Sequence, residues 1–487
     1  MRDQKGTIRR PAVTMIGIDA GDADFIEQNI ASLPNIAAVM AGEALRRLEV
    51  EPLSGAVWST FMARATPDVH GIYHHIQWDP ERMRVRRTHP DWIGGTEPFW
   101  RDLARSGSKV LSFDVPFLFK GDSAGAVEIA NWGSHDLVDG FWCNDPQVEK
   151  LVRSFAPHHP MAFEVPVDKT PADLDEIYDG ILKGVAMKAD LVCALMDKVE
   201  SDLFIVAFGE THRAGHILWP ETGTNTSLVP ATALLDVYKA LDAAIGQIMR
   251  RIGPDGTLVL FSLHGMAANQ SQSHLSAAML KVALAEVSGT GSGETFGLIR
   301  TLRRNVPAPV QMAIAKAVPK AVRDYVVSRE VSGGYRWSET PMISLDGDLC
   351  GYWRANIRQR EKDGILAPDS NLLDDVAAEF MKFTTRDGAQ IVQKVHFPAR
   401  DWPGKRAHYL PDIVAEWNPD LLAIDTADHP SGATISARRY TGRTGNHRFK
   451  GFCTLHGSVP ATQDIALPDH IKDLGRLAHA LLQRATS

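Results

Sequence analysis

Glu210, His212 and His216 follow directly on an apolar run and a glycine, in the sequence LFIVAFGETHRAGHILW of residues 203–219. Two histidines four apart stand on one face of a helix. The run before them reads as a buried strand, and the carboxyl ends of such strands are where open α/β sheets place their ligand sites. Neutral imidazoles gathered there suit a divalent transition metal. Two further stretches, FSLHGMAAN around His264 and RTGNHRFKG around His447, each set a histidine within two residues of a turn-forming glycine. Read together, the three stretches make one metal site. Glu210 is placed to orient His212 or to act as a general base.

The elements that must position these side chains follow from the hydrophobic pattern. Val13–Ile18 (VTMIGI) is an apolar run ending at Asp19, in DAGDADF. It predicts a central strand, with Asp19 either a ligand or a helix cap, a role open to Asp22 and Asp24 as well. In residues 52–75, Ser54 opens a short helical piece carrying Ser59 and Thr60. A hydroxyl there is a cap, or a nucleophile whose pKa a metal and the helix dipole lower. Strands are predicted at 109–113, 203–208, 257–262 and 411–417, and helices at 172–200, 229–252 and 469–484. Helix, strand and chemistry-bearing residue repeat in turn, which is the doubly wound α/β pattern. The expected organisation is a first core part (11–288), a basic helical insertion or lid (289–334), and cap strands with the rest of the core (335–487).

Composition excludes several classes. The 487-residue chain, 44% hydrophobic and 23% charged with a net charge of −7, lacks the basic footprint of a nucleic-acid binder. Four cysteines, at 143, 193, 350 and 453, form no CxxC pair, so neither a zinc knuckle nor a disulfide framework is expected, and a reducing cytoplasm fits best. The run after the basic N-terminus is too short for a signal segment, and none is long enough for a membrane span. The partner expected is a small anionic molecule; homo-oligomerisation is left open.

Asp19, PLSGAVWSTF leading to PDVHGI, the His212/His216 pair, SLHG and GNHR occur in this order, and with them the chain resembles the alkaline phosphatase superfamily, nearest its type I phosphodiesterase/nucleotide pyrophosphatase branch. YWRANIRQREKDGIL looks like that branch's INxxGRExxGI segment. The resemblance implies a mixed sheet flanked by helices with an inserted cap, and two metal ions attacking a phosphorus or sulfur centre in line with a Thr or Ser nucleophile. By this resemblance Asp19 and His264 are ligands on the nucleophile side, and His216 and His447 belong to the other ion. Ser54 falls at the nucleophile, with Thr60 and Ser59 as fallbacks. Asn131, Asn356 and Arg360 lie in motif-like segments that could line the substrate pocket. Arg64 stands where the family has glycine, and points toward the site to hold an anion or toward solvent.

The departures carry physical weight. His212 replaces one family aspartate and Leu263 another. Imidazole can serve as a ligand where carboxylate did, so His212, His216 and His447 make a three-histidine site with an open position. Leucine cannot, so the second site is expected weak or empty. Nitrogen donors disfavour calcium and magnesium; zinc is the default, with Mn, Fe or Co open. The reading is a metal-dependent hydrolase of a small phosphodiester, phosphonate ester or sulfate ester. Alternatives are a mononuclear centre activating water for another hydrolysis or a lyase step, and a non-catalytic binding relative.

Overall fold

Every residue of Val13–Ile18, Leu203–Phe208 and Thr257–Ser262 is buried, as largely apolar runs require when both faces of a parallel sheet are covered. In the computed structural model, which describes residues 10–94, 97–134, 140–161, 170–220, 230–289, 335–345, 347, 349–437, 443–457, 462 and 464–486, these strands form the middle of an eight-stranded sheet. Five parallel strands run in the order Thr257–Ser262, Val13–Ile18, Leu203–Phe208, Val110–Phe113, Val127–Ala130. Antiparallel strands extend both edges: Gly451–His456 then Arg46–Leu48 on one side, Trp142–Cys143 on the other.

Alternation along each strand separates the two faces. Ile16, Phe204, Val206 and Leu260 pack under the long helices Pro171–Lys198 and Ala233–Ile252. Met15, Ile205, Val259 and Phe261 pack under Val57–Ala63 and Leu474–Thr486. Burying each such side chain stabilises by roughly 1.5–3 kcal/mol. The layered architecture is therefore the doubly wound, alkaline-phosphatase-like one expected, with most boundaries within a few residues of the sequence reading.

The cap is a second, four-stranded antiparallel sheet in the order Met342–Leu345, Cys350–Ala355, Ile413–Trp417, Val392–His396. Its core includes side chains of Ser276–Ser288 and Leu372–Phe380. The expected insertion lies outside the described residues from 290 to 334. Among the described residues no helix is long and apolar enough to cross a membrane.

Register aligns the ends that matter. Ile18 pairs with Phe208 and Gly17 with Phe261, and the Asp19 N–H donates to Phe208 O at 2.9 Å. Asp19, the helix Glu210–Ile217 and the turn at His264 thus emerge at one edge of the sheet. Gly17 makes room beneath it: a Cβ there would meet Trp58 Cη2 at 2.8 Å.

Candidate metal centre

Asp22, not Asp19, caps the next helix, accepting the Phe25 N–H at 2.8 Å. Asp19 is buried and turned inward instead. Its Oδ1 accepts from Trp58 Nε1 at 2.9 Å, its Oδ2 lies 3.0 Å from His212 Nδ1, and His264 Nε2 stands 3.6 Å from Oδ1. Thr211 Oγ1 donates to the Asp19 carbonyl at 2.7 Å, tying the start of the histidine helix to the strand end.

His216 and His447 complete the group. The two-stranded ribbon of Gly265–Ala268 and Gly445–Arg448 pairs Met266 with His447, which swings the late histidine over the helix. The His447 ring lies 4.6 Å from those of His212 and His216 and 4.3 Å from that of His264, centroid to centroid. One ligand atom each from His212, His264 and His447 lie within 4.8 Å of one another.

The hydrogen bonds fix which nitrogens are available. His212 Nδ1 faces the Asp19 carboxylate and His216 Nδ1 faces Gly445 O at 3.0 Å, so in the neutral rings each Nδ1 carries the proton and each Nε2 a lone pair. Those two Nε2 atoms stand 3.0 Å apart. Two acceptors at that distance repel unless a cation lies by them: Arg443 Nη2 stands 2.8 Å from His216 Nε2, and ligands at about 2.0–2.1 Å on one tetrahedral ion stand roughly 3.3 Å apart. His447 Nδ1 is buried with no hydrogen-bond partner among the described residues, and burial first, then the neighbouring His264, His216, His212 and Arg443, hold this imidazole well below its ordinary pKa and hence neutral. Buried, neutral, converging imidazoles fit a divalent transition metal.

Five expected site residues receive other work. Glu210 meets His159 Nε2 at 2.9 Å and Lys188 Nζ at 3.4 Å, so these, rather than His212, are its partners. Burial pushes its carboxyl up, but Lys188, His159 and Arg213 outweigh it and hold the pKa at about 2, too low for a general base near neutral pH. Thr60 Oγ1 lies 3.1 Å from His70 Nε2, and His70 Nδ1 accepts the Ile72 N–H at 3.1 Å. His70 therefore donates to Thr60 and cannot take its proton; burial, with the Arg406 charge, pushes that imidazole down to about 3. Arg64 caps its helix at φ 51°, a left-handed conformation that favours glycine, and its guanidinium pairs with Asp102 at 2.7 Å on the surface. Arg360 forks onto Asp412 at 2.5 and 2.7 Å. Asn356 bonds the carbonyls of Trp337 and Thr340, both at 3.1 Å. Both are joints of the cap.

Asn131 does stand at the carboxyl edge of the sheet, buried at φ 58° after Val127–Ala130, its amide reaching Gly140 O at 3.3 Å. Ser59 is fully buried in Val57–Ala63. Ser54 opens the 3-10 turn Ser54–Ala56 before that helix, but its side chain lies outside the described residues. Trp58 and Arg443 were not anticipated. Trp58 lies one turn beyond Ser54, a signal available in the sequence; Arg443, two residues before Gly445, announced itself only as one charge among several.

The sheet order, the site at its carboxyl edge and the separate cap define an alkaline-phosphatase-like α/β fold. The solved structure of phosphonoacetate hydrolase from Sinorhizobium meliloti 1021 with phosphonoacetate is similar at a TM-score of 0.52 and 13% identity, over 99% of this chain and 96% of that one. Murine ectonucleotide pyrophosphatase/phosphodiesterase 5, an inactive variant in complex with AMP, gives 0.46 and 12% over 97% and 95%. No curated protein sequence matches the chain. The model of the type I phosphodiesterase/nucleotide pyrophosphatase family matches residues 13–341, and the chain belongs to that family. The match ends before Asn356, Arg360 and His447.

Proposed function

We propose that the chain is a metal-dependent hydrolase of small anionic esters of phosphorus, with phosphodiesters, phosphonate esters and the related sulfate esters as the substrates to test. The observation that carries the reading is the convergence of His212, His264 and His447, one ligand atom of each within 4.8 Å of the others, at the carboxyl ends of the central strands. When bound, the ion supplies Lewis-acid stabilisation of charge on the ester oxygens. Asp19 holds the His212 ring in orientation, as carboxylates do for metal-bound histidines. Ser54 is the proposed nucleophile, at the helix start just before Trp58, the residue bound to Asp19. Nitrogen donors favour zinc, with manganese, iron or cobalt as alternatives. Leu263, 1% exposed in the core under the sheet, supports a weak second metal position. Four unbridged thiols, Cys143, Cys193, Cys350 and Cys453, support a reducing, cytoplasmic setting.

The test is elemental analysis beside turnover of bis(4-nitrophenyl) phosphate and 4-nitrophenyl phenylphosphonate, on the native protein and on His212→Ala and Ser54→Ala. The expected outcome is a stoichiometric transition metal lost with His212 and turnover lost in both variants. A metal-bearing protein whose turnover survives Ser54→Ala would make water the nucleophile. Absence of both metal and turnover would leave a binding relative.

A further inference from the structure

Trp58 brings one polar atom into an apolar core, and that atom faces the candidate metal centre. The residue is 4% exposed, and its indole packs edge-on against Phe61 and Phe261, at 5.9 and 6.1 Å between ring centroids. A buried indole N–H takes an acceptor. Here the acceptor is a carboxylate, Asp19 Oδ1 at 2.9 Å.

The backbone of Asp19 is fixed from both sides, its N–H donating to Phe208 O and its carbonyl accepting Thr211 Oγ1 at 2.7 Å. That leaves the carboxylate plane to be set, because the last torsion of an aspartate is broad and two-fold. Holding Oδ1 on the indole sets it, and Oδ2 then falls 3.0 Å from His212 Nδ1. A carboxylate in that place fixes the tautomer and ring angle of a metal-binding histidine and raises its basicity. His212 is one of the three residues whose ligand atoms converge. The helix Val57–Ala63 that carries Trp58 follows directly on the turn Ser54–Ala56, so the same bond ties the segment of the proposed nucleophile to the histidines.

We propose that Trp58 is a positioning residue for the metal: by holding Asp19 Oδ1 it aims Oδ2 at His212, and so raises the affinity of the centre for its ion. The inference rests on the metal-dependent reading above and adds to it a residue that acts through Asp19. An indole that only filled the core would stabilise the fold and leave zinc affinity to the histidines.

Zinc affinity, from competition with a chromophoric chelator, is measured beside thermal unfolding of the metal-free protein. The proteins compared are the native chain, Trp58→Phe, Asp19→Ala, the two combined, and Phe99→Leu. Phe99 lies in the same core, 5.4 Å from the Phe61 ring. Trp58→Phe keeps a ring and removes the N–H, and it should weaken zinc by about tenfold, the lower end of the range for groups that orient a metal-bound histidine. In the Asp19→Ala background the same change should cost less than about twofold, because the carboxylate it acts through is gone. Phe99→Leu should lower the unfolding temperature while zinc affinity stays within about twofold of native. Among the 11 indole N–H resonances, the one lost in Trp58→Phe or displaced in Asp19→Ala should shift when zinc is added to the native protein. Native zinc affinity in Trp58→Phe, or an equal loss with and without the Asp19 carboxylate, would overturn the proposal and leave the hydrolase reading standing. So would a loss of zinc affinity in Phe99→Leu as large as in Trp58→Phe, or an indole resonance that zinc leaves in place. A native chain that takes up no zinc or other transition metal would overturn both.

Discussion

The helix Glu210–Ile217 separates two buried polar clusters that differ in one respect. Glu210 and Arg213 lie on one side of it and His212 and His216 on the other, as a period of 3.6 dictates. On the first side carboxylates meet cations and backbone N–H groups. The Asp114 carboxylate takes the Gly133 and Ser134 N–H groups at 3.0 and 3.2 Å and Lys188 Nζ at 2.7 Å. Lys188, fully buried, also donates to Ala207 O at 3.0 Å and stands 3.4 Å from Glu210. On the second side imidazole rings face one another, with the His212 and His216 Nε2 atoms 3.0 Å apart. The ion-paired, closed side holds the structure together; the side of converging imidazoles is open to a metal ion.

Perturbing the closed side should cost most. Lys188→Met leaves Asp114 and Glu210 without their shared cation in the interior, and should lower stability by about 3–5 kcal/mol, the range for removing one partner of a buried pair. Urea denaturation of the metal-free protein measures it. If the loss were below about 1 kcal/mol, the two clusters would not differ as described.

Acid should act on the same side. The Glu210 carboxyl is held at about 2 against an ordinary value of 4.5, so its contribution is complete above pH 4.5 and is lost as the pH falls from there toward 2. The shift corresponds to about 3 kcal/mol. Stability measured against pH should therefore fall more steeply across that window in the native protein than in Glu210→Gln, and parallel curves would remove Glu210 from the network.

The open side should respond least in the absence of metal and most in its presence. His447→Ala in the metal-free protein removes a ring that gains little from its neighbours, and its stability should stay within about 1 kcal/mol of native, below the usual cost of a buried deletion. In zinc titrations the same variant should lose its stoichiometric ion. A large destabilisation without metal would assign His447 to structure and merge the two clusters.

Much of this was legible in the chain. Largely apolar runs at 13–18, 203–208 and 257–262 gave the central strands, because burial on both faces favours them. Histidines just beyond strand ends gave the centre, because those ends converge at one sheet edge. Arg64 and Glu210 were harder. Each sits next to a site residue in sequence, but side-chain direction depends on a helix phase and on partners from distant segments: Asp102 for one, His159 and Lys188 for the other.

The sequence by itself determined the layered α/β architecture and the membership of Asp19, His212, His216, His264 and His447 in one region. These depend on periodicity and on residue type at strand ends, which are local properties. Tertiary structure alone decided that Asp22 rather than Asp19 caps the helix, that Trp58 and His212 share Asp19, that Thr60 serves His70, and that Arg443 reaches His216. Each of these is a hydrogen bond whose two ends are chosen by the packing of segments, up to 227 residues apart for Arg443 and His216, and packing at that range is written in no local pattern.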